Sequence, residues 1–268
     1  MSTALSLRSI LERTSLPSNE ARILMAFILD KHYQLPRSAV LSRDDLALHE
    51  VALKEWLELE SKRLAGQPIA YLIGKKGFHN IELEVAPGVL IPRPETESLV
   101  DEVLHAISKY DEPVSVVDLG AGSGAIAISI QYETQGKKNV HVIAVEKSKE
   151  ALPWLHKNIA KYDLPTRVIE ADVAEALEGI KADIVVMNPP YIPNDQQLPD
   201  DVKHEPVEAL FGGPDGMDVP KRFIDAATRI LKSDGFIAVE QHELQGQAIH
   251  HFLSGSYSNI RLIEDLAG

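Results

Sequence analysis

The side chains best placed to do chemistry sit at the ends of short apolar runs. "VSVVD" leads into "DLGAGSGA" (118–125), where Asp118 is followed by Gly120, Ala121, Gly122, Ser123 and Gly124. Glycines at such a point let the backbone pass close to a ligand, and the helix that follows offers unpaired N–H groups at its start. Read loosely as G-x-G-x-x-A, the stretch also fits a dinucleotide fingerprint, so by itself it leaves the cofactor open. The next run, "VHVIAVE", ends in Glu146, whose carboxylate could accept from both ribose hydroxyls of an adenosine group. The third, "TRVIEAD", ends in Asp172, where a carboxylate could meet an adenine amino group. The bland reading of either acid is a solvated surface carboxylate.

The fourth run, "ADIVVMN", ends in Asn188, Pro189, Pro190 and Tyr191, and this ending separates the cofactors. A nicotinamide enzyme needs a hydride geometry and usually a general acid, whereas a methyltransferase needs a nucleophile held in line with a sulfonium methyl. The Asn188 side-chain oxygen and the Pro189 carbonyl are two acceptors for the two hydrogens of a planar NH2 group. Consecutive prolines fix φ and pre-position those acceptors, and the Tyr191 ring can pack on the flat face of a conjugated amine or amide. The lone pair of such a nitrogen is delocalised. Acceptors that localise it as the methyl approaches act mainly in the transition state. The competing reading is a strand that simply ends in a proline-stiffened loop.

The elements that must hold these residues follow from the periodicity. After Pro113, β-branched runs at 114–118, 140–146, 166–172, 182–188, 235–240 and 259–264 alternate with helical stretches rich in Ala, Leu and Lys. Strands apolar on both faces, in alternation with helices, predict a mostly parallel sheet covered by helices, with ligands outside the carboxyl ends of the strands. Upstream, "NEARILMAFILDKHY" repeats apolar residues at spacings of three and four. Ser42 and Asp45 resemble a capping box opening a helix that Gly66 ends, giving a small helical bundle. Alternating Ile81, Leu83 and Val85 predict a hairpin with Pro87 and Gly88 as its turn. The division expected is a helical domain over 1–73 that recognises the substrate protein, a hairpin linker over 74–95 and a catalytic domain over 96–268.

Composition narrows the class. The 268 residues, 44% hydrophobic and 25% charged, are enough for one large core or two domains. With no cysteine, disulfides, thiolate metal sites and Cys nucleophiles are excluded. The ten histidines form no HExxH or paired spacing, so no metal site is expected. The first residues carry acidic and basic side chains among apolar ones, unlike a signal peptide, and no apolar run approaches ~18 residues, so no membrane span is expected. Net charge is -13, which disfavours broad nucleic-acid binding and suits a basic protein partner.

With the glycine turn and N-P-P-Y both present, the chain resembles the peptide chain release factor glutamine methyltransferases (the HemK/PrmC family) over nearly its whole length. The resemblance rests on "GQPIAYLIGKKGF", "LIPRPETE" (90–97), "DLGAGSGAIA", "NPPYI", "HEPVEALFGGPDG" (204–216) and the "DLAG" ending. N-P-P-Y alone is shared with amino-methyltransferases acting on DNA adenine; "PRPETE" together with "EPVEAL" is far more specific. The resemblance implies an α/β fold: a class I Rossmann-like S-adenosylmethionine-dependent methyltransferase domain with a small N-terminal helical domain. It implies methylation of the side-chain amide nitrogen (N5) of the glutamine in the Gly-Gly-Gln loop of release factors, by a cytoplasmic enzyme, here taken as a monomer.

Carried across by motif, Asp118, Gly120 to Gly124 and Glu146 bind the cofactor, with Asp172 and Val173 near the adenine and Asn188 beside the methyl. Asn188, Pro189, Pro190 and Tyr191 hold the glutamine, with Asn188, Pro189 and Tyr191 as the catalytic set. Arg93 and Glu95 of "PRPETE" stand at the site mouth. The chain departs from the family pattern at Val173, where an aromatic residue is frequent, at Glu146, where Asp is common, and at His242, where Gly is usual; a further strand is expected after "DLAG". The alternatives are an N6-adenine DNA or RNA methyltransferase, which needs a basic groove, and a cofactor-binding module without catalysis, which has no use for paired amide acceptors.

Overall fold

The computed structural model describes residues 5–111, 113–175 and 177–264. The "DLAG" ending lies outside the described residues. The chain divides into two compact units: one runs up to Gly74 and takes in Pro199–His204, and the other holds Lys75–Leu198 and Glu205 onward.

The first unit is built of α1 (Leu7–Arg13), α2 (Ser18–Tyr33), α3 (Ala39–Ser42), α4 (Glu50–Leu64) and α5 (Ile69–Ile73). Leu7, Leu24, Ile28, Leu29 and Trp56 form its core. The bidentate pair of Arg63 with Glu20, at 2.7 and 2.8 Å, ties α4 to α2. The capping box expected at Ser42 and Asp45 does not form. Residues 44–48 are instead used as a strap, a turn at Asp44–Asp45 followed by a bridged segment: Asp44 and Leu46 carbonyls accept from Arg8 and Leu7, and Ser6 bridges Ala47. Helix α4 therefore starts at Glu50, where His49 Nδ1 accepts from the Ala52 N–H. Gly66 ends this stretch as expected, in the left-handed region.

The second unit opens with a hairpin, β1 (Lys75–Phe78) and β2 (Ile81–Glu84), followed by α6 (Glu97–Ile107). Its turn is His79–Asn80, with His79 at φ +50°, and not Pro87–Gly88, which follow β2. Ile81 and Leu83 do point inward as their alternation requires. Then come β3 (Val114–Leu119), α7 (Ala125–Thr134), β4 (Val140–Glu146), α8 (Leu152–Lys161), β5 (Arg167–Glu170) and β6 (Ala182–Met187). The short strands β7 (Ile192–Pro193) and β8 (Phe211–Gly213) precede α9 (Asp218–Ile230), β9 (Leu231–Val239) and α10 (Gly246–Leu253).

The main sheet has the order β5-β4-β3-β6-β9, and every pairing is parallel. Alternate residues of β3 serve two cores: Val114 and Val116 face the hairpin and α6 to α8, while Val117 and Leu119 face α9 and α10. This is why the central strands read as unbroken apolar runs. The stretch at 259–264, expected as a strand, is not one: Asn259 at φ +56° breaks the extended path, and the segment lies along the groove beside β9 and α10.

The order has a direct consequence for ligands. Successive strands step from β3 to β4 to β5 in one direction, and the chain then returns to place β6 on the other side of β3. The carboxyl ends of β3 and β6 thus flank the switch point, where open α/β sheets bind ligands. The glycine turn and N-P-P-Y follow those two strands.

Candidate active site

A cleft opens at this point, lined by Gly120, Ala121, Gly122, Ser123, Glu146, Asp172, Val173, Asn188, Pro190 and Arg93 among the residues expected at the site. Asp118, Gly124, Pro189, Tyr191 and Glu95 do not line it. Glu95 lines the separate groove beside β9. Asp118 is buried beneath the turn at 1% exposure. Gly124 packs inward, where a Cβ would sit 2.6 Å from Ile128 Cδ1 and 2.8 Å from Leu155 Cδ1. Gly122, at φ +55°, has nothing within 4 Å of a built Cβ and faces open space.

The donors of the turn decide how it can be used. Glu146 Oε2 accepts from Gly122 N at 2.7 Å, and its Oε1 accepts from Lys147 N and Ser148 N at 2.8 and 2.7 Å. Asp118 Oδ2 accepts from Ala127 N, in the first turn of α7, at 3.0 Å. Two N–H groups of the turn and the start of α7 are therefore taken by the chain's own acidic side chains. An acidic turn of this kind suits a cationic sulfonium and a ribose. Asp172 Oδ1 accepts from Ala174 N at 2.9 Å; that bond first, then Lys147 and Arg222, holds its carboxyl below the usual range. Buried Val173 lies beside it as an apolar wall.

Asp118 behaves differently from these. Burial, opposed by the Ala127 bond and assisted by the charge of Glu146, pushes its carboxyl up to about 7, and its Oδ1 has no hydrogen-bond partner. The folded state keeps a proton that the unfolded chain releases near pH 3.8. The contribution of Asp118 to stability therefore falls as pH rises from about 4 to about 7 and is flat above, a loss of ~4 kcal/mol at about 1.4 kcal/mol per unit. Asp118→Asn keeps an acceptor for Ala127 and removes the slope. Urea titrations are expected to show it more stable than the wild type at pH 8 by a few kcal/mol and equal to it near pH 4; parallel pH profiles would contradict this.

The N-P-P-Y loop is seated by residues that sequence reasoning missed. Asn188 Nδ2 donates to Thr96 Oγ1 at 3.1 Å, which leaves its Oδ1 and the Pro189 carbonyl without partners among the described residues. Thr96 is the last residue of the turn Pro94–Thr96. Ile91 N donates to Glu205 Oε2 at 2.8 Å and the Arg93 guanidinium donates to Oε1, so "LIPRPETE" is clamped by the buried acid of "HEPVEAL". Tyr191 donates from its hydroxyl to Glu240 at 3.2 Å; burial and then the charge of Glu240 raise the phenol above its usual range, keeping it a donor. Gln245 Nε2 donates to the Tyr191 carbonyl at 2.9 Å, and β7 pairs with β8. Thr96 and Glu205 stand inside the motifs that carry the resemblance; Glu240 ends the run at 235–240 as Glu146 and Asp172 end theirs, and Gln245 follows it, but neither is expected at the site.

Comparison with known proteins agrees with this architecture. Residues 97–209 match the family described as "Methyltransferase small domain", and residues 6–74 match "PrmC N-terminal domain". The release factor glutamine methyltransferase of Moorella thermoacetica is 35% identical, covering 94% of this chain and 88% of its own. The one from Bacillus cereus is 32% identical, covering 97% and 93%, and that of Caulobacter vibrioides 37%, covering 83% and 77%. Among solved structures, the T. thermophilus 16S rRNA N2 G1207 methyltransferase, in complex with AdoMet and guanosine, superposes with a TM-score of 0.52. It covers 71% of this chain and 47% of its own at 21% identity, a likeness of fold alone. The parallel sheet with its two motifs at the switch point, and relatives above 30% identity along nearly the full length, lead to one assignment: the chain belongs to the release factor glutamine methyltransferase family.

Proposed function

We propose that the chain methylates the side-chain amide nitrogen of the glutamine in the Gly-Gly-Gln loop of a peptide chain release factor, with S-adenosylmethionine as the donor. The observation that carries this reading is the pair of open acceptors, Asn188 Oδ1 and the Pro189 carbonyl, at the switch point between β3 and β6. S-adenosylmethionine supplies an electrophilic methyl on a sulfonium. Gly120 to Ser123 and Glu146 would hold its amino-acid and ribose portions, with Asp172 and Val173 beside the adenine. Asp118 and Gly124 support the turn from below.

The glutamine NH2 donates both hydrogens to Asn188 and Pro189. With the cofactor bound, the C–N bond would form as the S–CH3 bond breaks and neutral S-adenosylhomocysteine leaves, and those two acceptors would stabilise the positive charge that develops on nitrogen. Tyr191 does not line the cleft; held by Glu240 and Gln245, it supports the loop that carries the two acceptors. Arg93, held by Glu205, shapes the loop at the mouth. An amide N–H is too weak an acid to ionise first, so the proton leaves with or after methyl transfer, to water. This fits the site, where Asp172 is ion-paired and Glu146 already accepts from three backbone donors, with capacity left for a ribose hydroxyl.

A release factor acts in translation, which places the reaction in the cytoplasm. No helix among the described residues is long and apolar enough to cross a membrane. A net charge of -13 suits a basic protein partner better than a nucleic acid. Labelled S-adenosylmethionine, incubated separately with a release factor, its Gln→Ala loop variant and duplex DNA, tests the reading. Label is expected on the first alone. Label on DNA, or equal label on the loop variant, overturns it.

A further inference from the structure

We infer that Thr96 is a positioning residue for amide methylation and acts only through Asn188; the inference rests on the function proposed above. A carboxamide offers one acceptor and one donor face, whereas the substrate NH2 brings only donors. Asn188 is useful with Oδ1 toward the cleft and is repulsive with Nδ2 there. Thr96 Oγ1, at the cleft wall, accepts from Nδ2 at 3.1 Å and so occupies the donor face, leaving Oδ1 as the end without a partner among the described residues. Thr96 itself is 4% exposed, and water cannot readily replace its hydroxyl.

The backbone that carries the hydroxyl is fixed from its own side. Thr96 N donates to the Arg93 carbonyl at 3.2 Å, closing the turn, and Pro94 sets φ at its start. Upstream, the Glu205 carboxylate holds Ile91 N and the Arg93 guanidinium, with the Glu205 side chain 1% exposed. The order of support is therefore Glu205 to the "LIPRP" loop, the loop to Thr96, and Thr96 to the amide of Asn188. None of the other polar side chains lining the cleft donates to or accepts from the Asn188 side chain. The role of "PRPETE" in the reaction passes through its threonine.

Thr96→Val is nearly isosteric and removes only the oxygen; Thr96→Ser restores it. With a release factor and saturating S-adenosylmethionine, Thr96→Val is expected to lower kcat about tenfold, the worth of one such hydrogen bond, with Kd for the cofactor within twofold and kcat recovered in Thr96→Ser. In 15N-labelled protein the Asn188 side-chain NH2 resonances, assigned by their loss in Asn188→Ala, should shift in Thr96→Val and return in Thr96→Ser. Turnover of Thr96→Val within twofold of wild type overturns the inference, as does a kcat loss with Asn188 resonances unmoved. A wild-type protein that leaves the release factor unlabelled overturns the proposed function instead, while the resonances still report whether Thr96 orients Asn188.

Discussion

Asn188→Ala is expected to lose about 10²–10³-fold in kcat while its Kd for S-adenosylmethionine stays within a few fold. The size follows from when the interaction is made. A ground-state amide already shares its lone pair with its carbonyl, and its two hydrogens are satisfied by water before binding, so the two acceptors add little to affinity. As the C–N bond forms, nitrogen gains positive charge, and an acceptor fixed in a water-poor cleft is worth far more than one in solvent. Removing one of the two costs roughly 3–4 kcal/mol. The cofactor affinity is spared because Gly122, Glu146 and Asp172 are positioned by the β3, β4 and β5 ends and do not depend on the Asn188 side chain. Isothermal titration and single-turnover transfer with one release factor separate the two numbers. Turnover near wild type would show that the Pro189 carbonyl alone holds the amide.

How far the sequence foretells this arrangement depends on the range of the interactions. The strands β3, β4 and β6 are legible because parallel strands buried on both faces must be continuous apolar runs, and the helices between them force a parallel sheet. The glycine turn and N-P-P-Y are legible because each is local. The hairpin turn was misplaced because Pro87 and Gly88 carry stronger turn signals than His79, whose left-handed φ no composition announces. The strap at 44–48 carries a helical pattern but pairs with Leu5–Arg8, a partner distant in sequence. The same holds in the site. Thr96 and Asn188 are 92 residues apart, and Ile91 and Glu205 are 114 apart; no periodicity records such a bond. Tyr191 pairs with Glu240 across 49 residues for the same reason. Long-range hydrogen bonds, which orient the acceptors, leave no local trace in the sequence.

Gly212→Ala is expected to cut kcat about 100-fold, although residue 212 does not line the cleft. Gly212 is the middle residue of β8, and its backbone passes between two others. A Cβ built there lies 2.4 Å from the Gly216 carbonyl oxygen and 2.6 Å from that of Pro190. Both obstacles are backbone, so no side chain can rotate away, and the strand or its neighbours must move. The Gly216 side is closed as well: its own built Cβ lies 2.1 Å from the Tyr191 carbonyl oxygen, and Gln245 ties that carbonyl to Asp215. On the other side, Ile192 N donates to Leu210 O and Asn194 N to Gly213 O, each at 3.0 Å, so β7 moves with β8. The displacement therefore reaches Pro190, and with it the Asn188 and Pro189 acceptors, and a misplacement near 1 Å costs on the order of 10²-fold. Overpacking also lowers stability by about 1–3 kcal/mol, so melting temperature should fall by several degrees. Gly77→Ala is the control: Gly77 has no positive φ and nothing within 4 Å of its built Cβ, so turnover within twofold and an unchanged melting temperature are expected. If Gly212→Ala melts early yet turns over within threefold of wild type, the glycine-rich segment stabilises the loop without setting its acceptors. A normal Kd for S-adenosylmethionine beside the lost turnover would place the damage at the amide and not at the cofactor, as the separation of the two motifs on β3 and β6 requires.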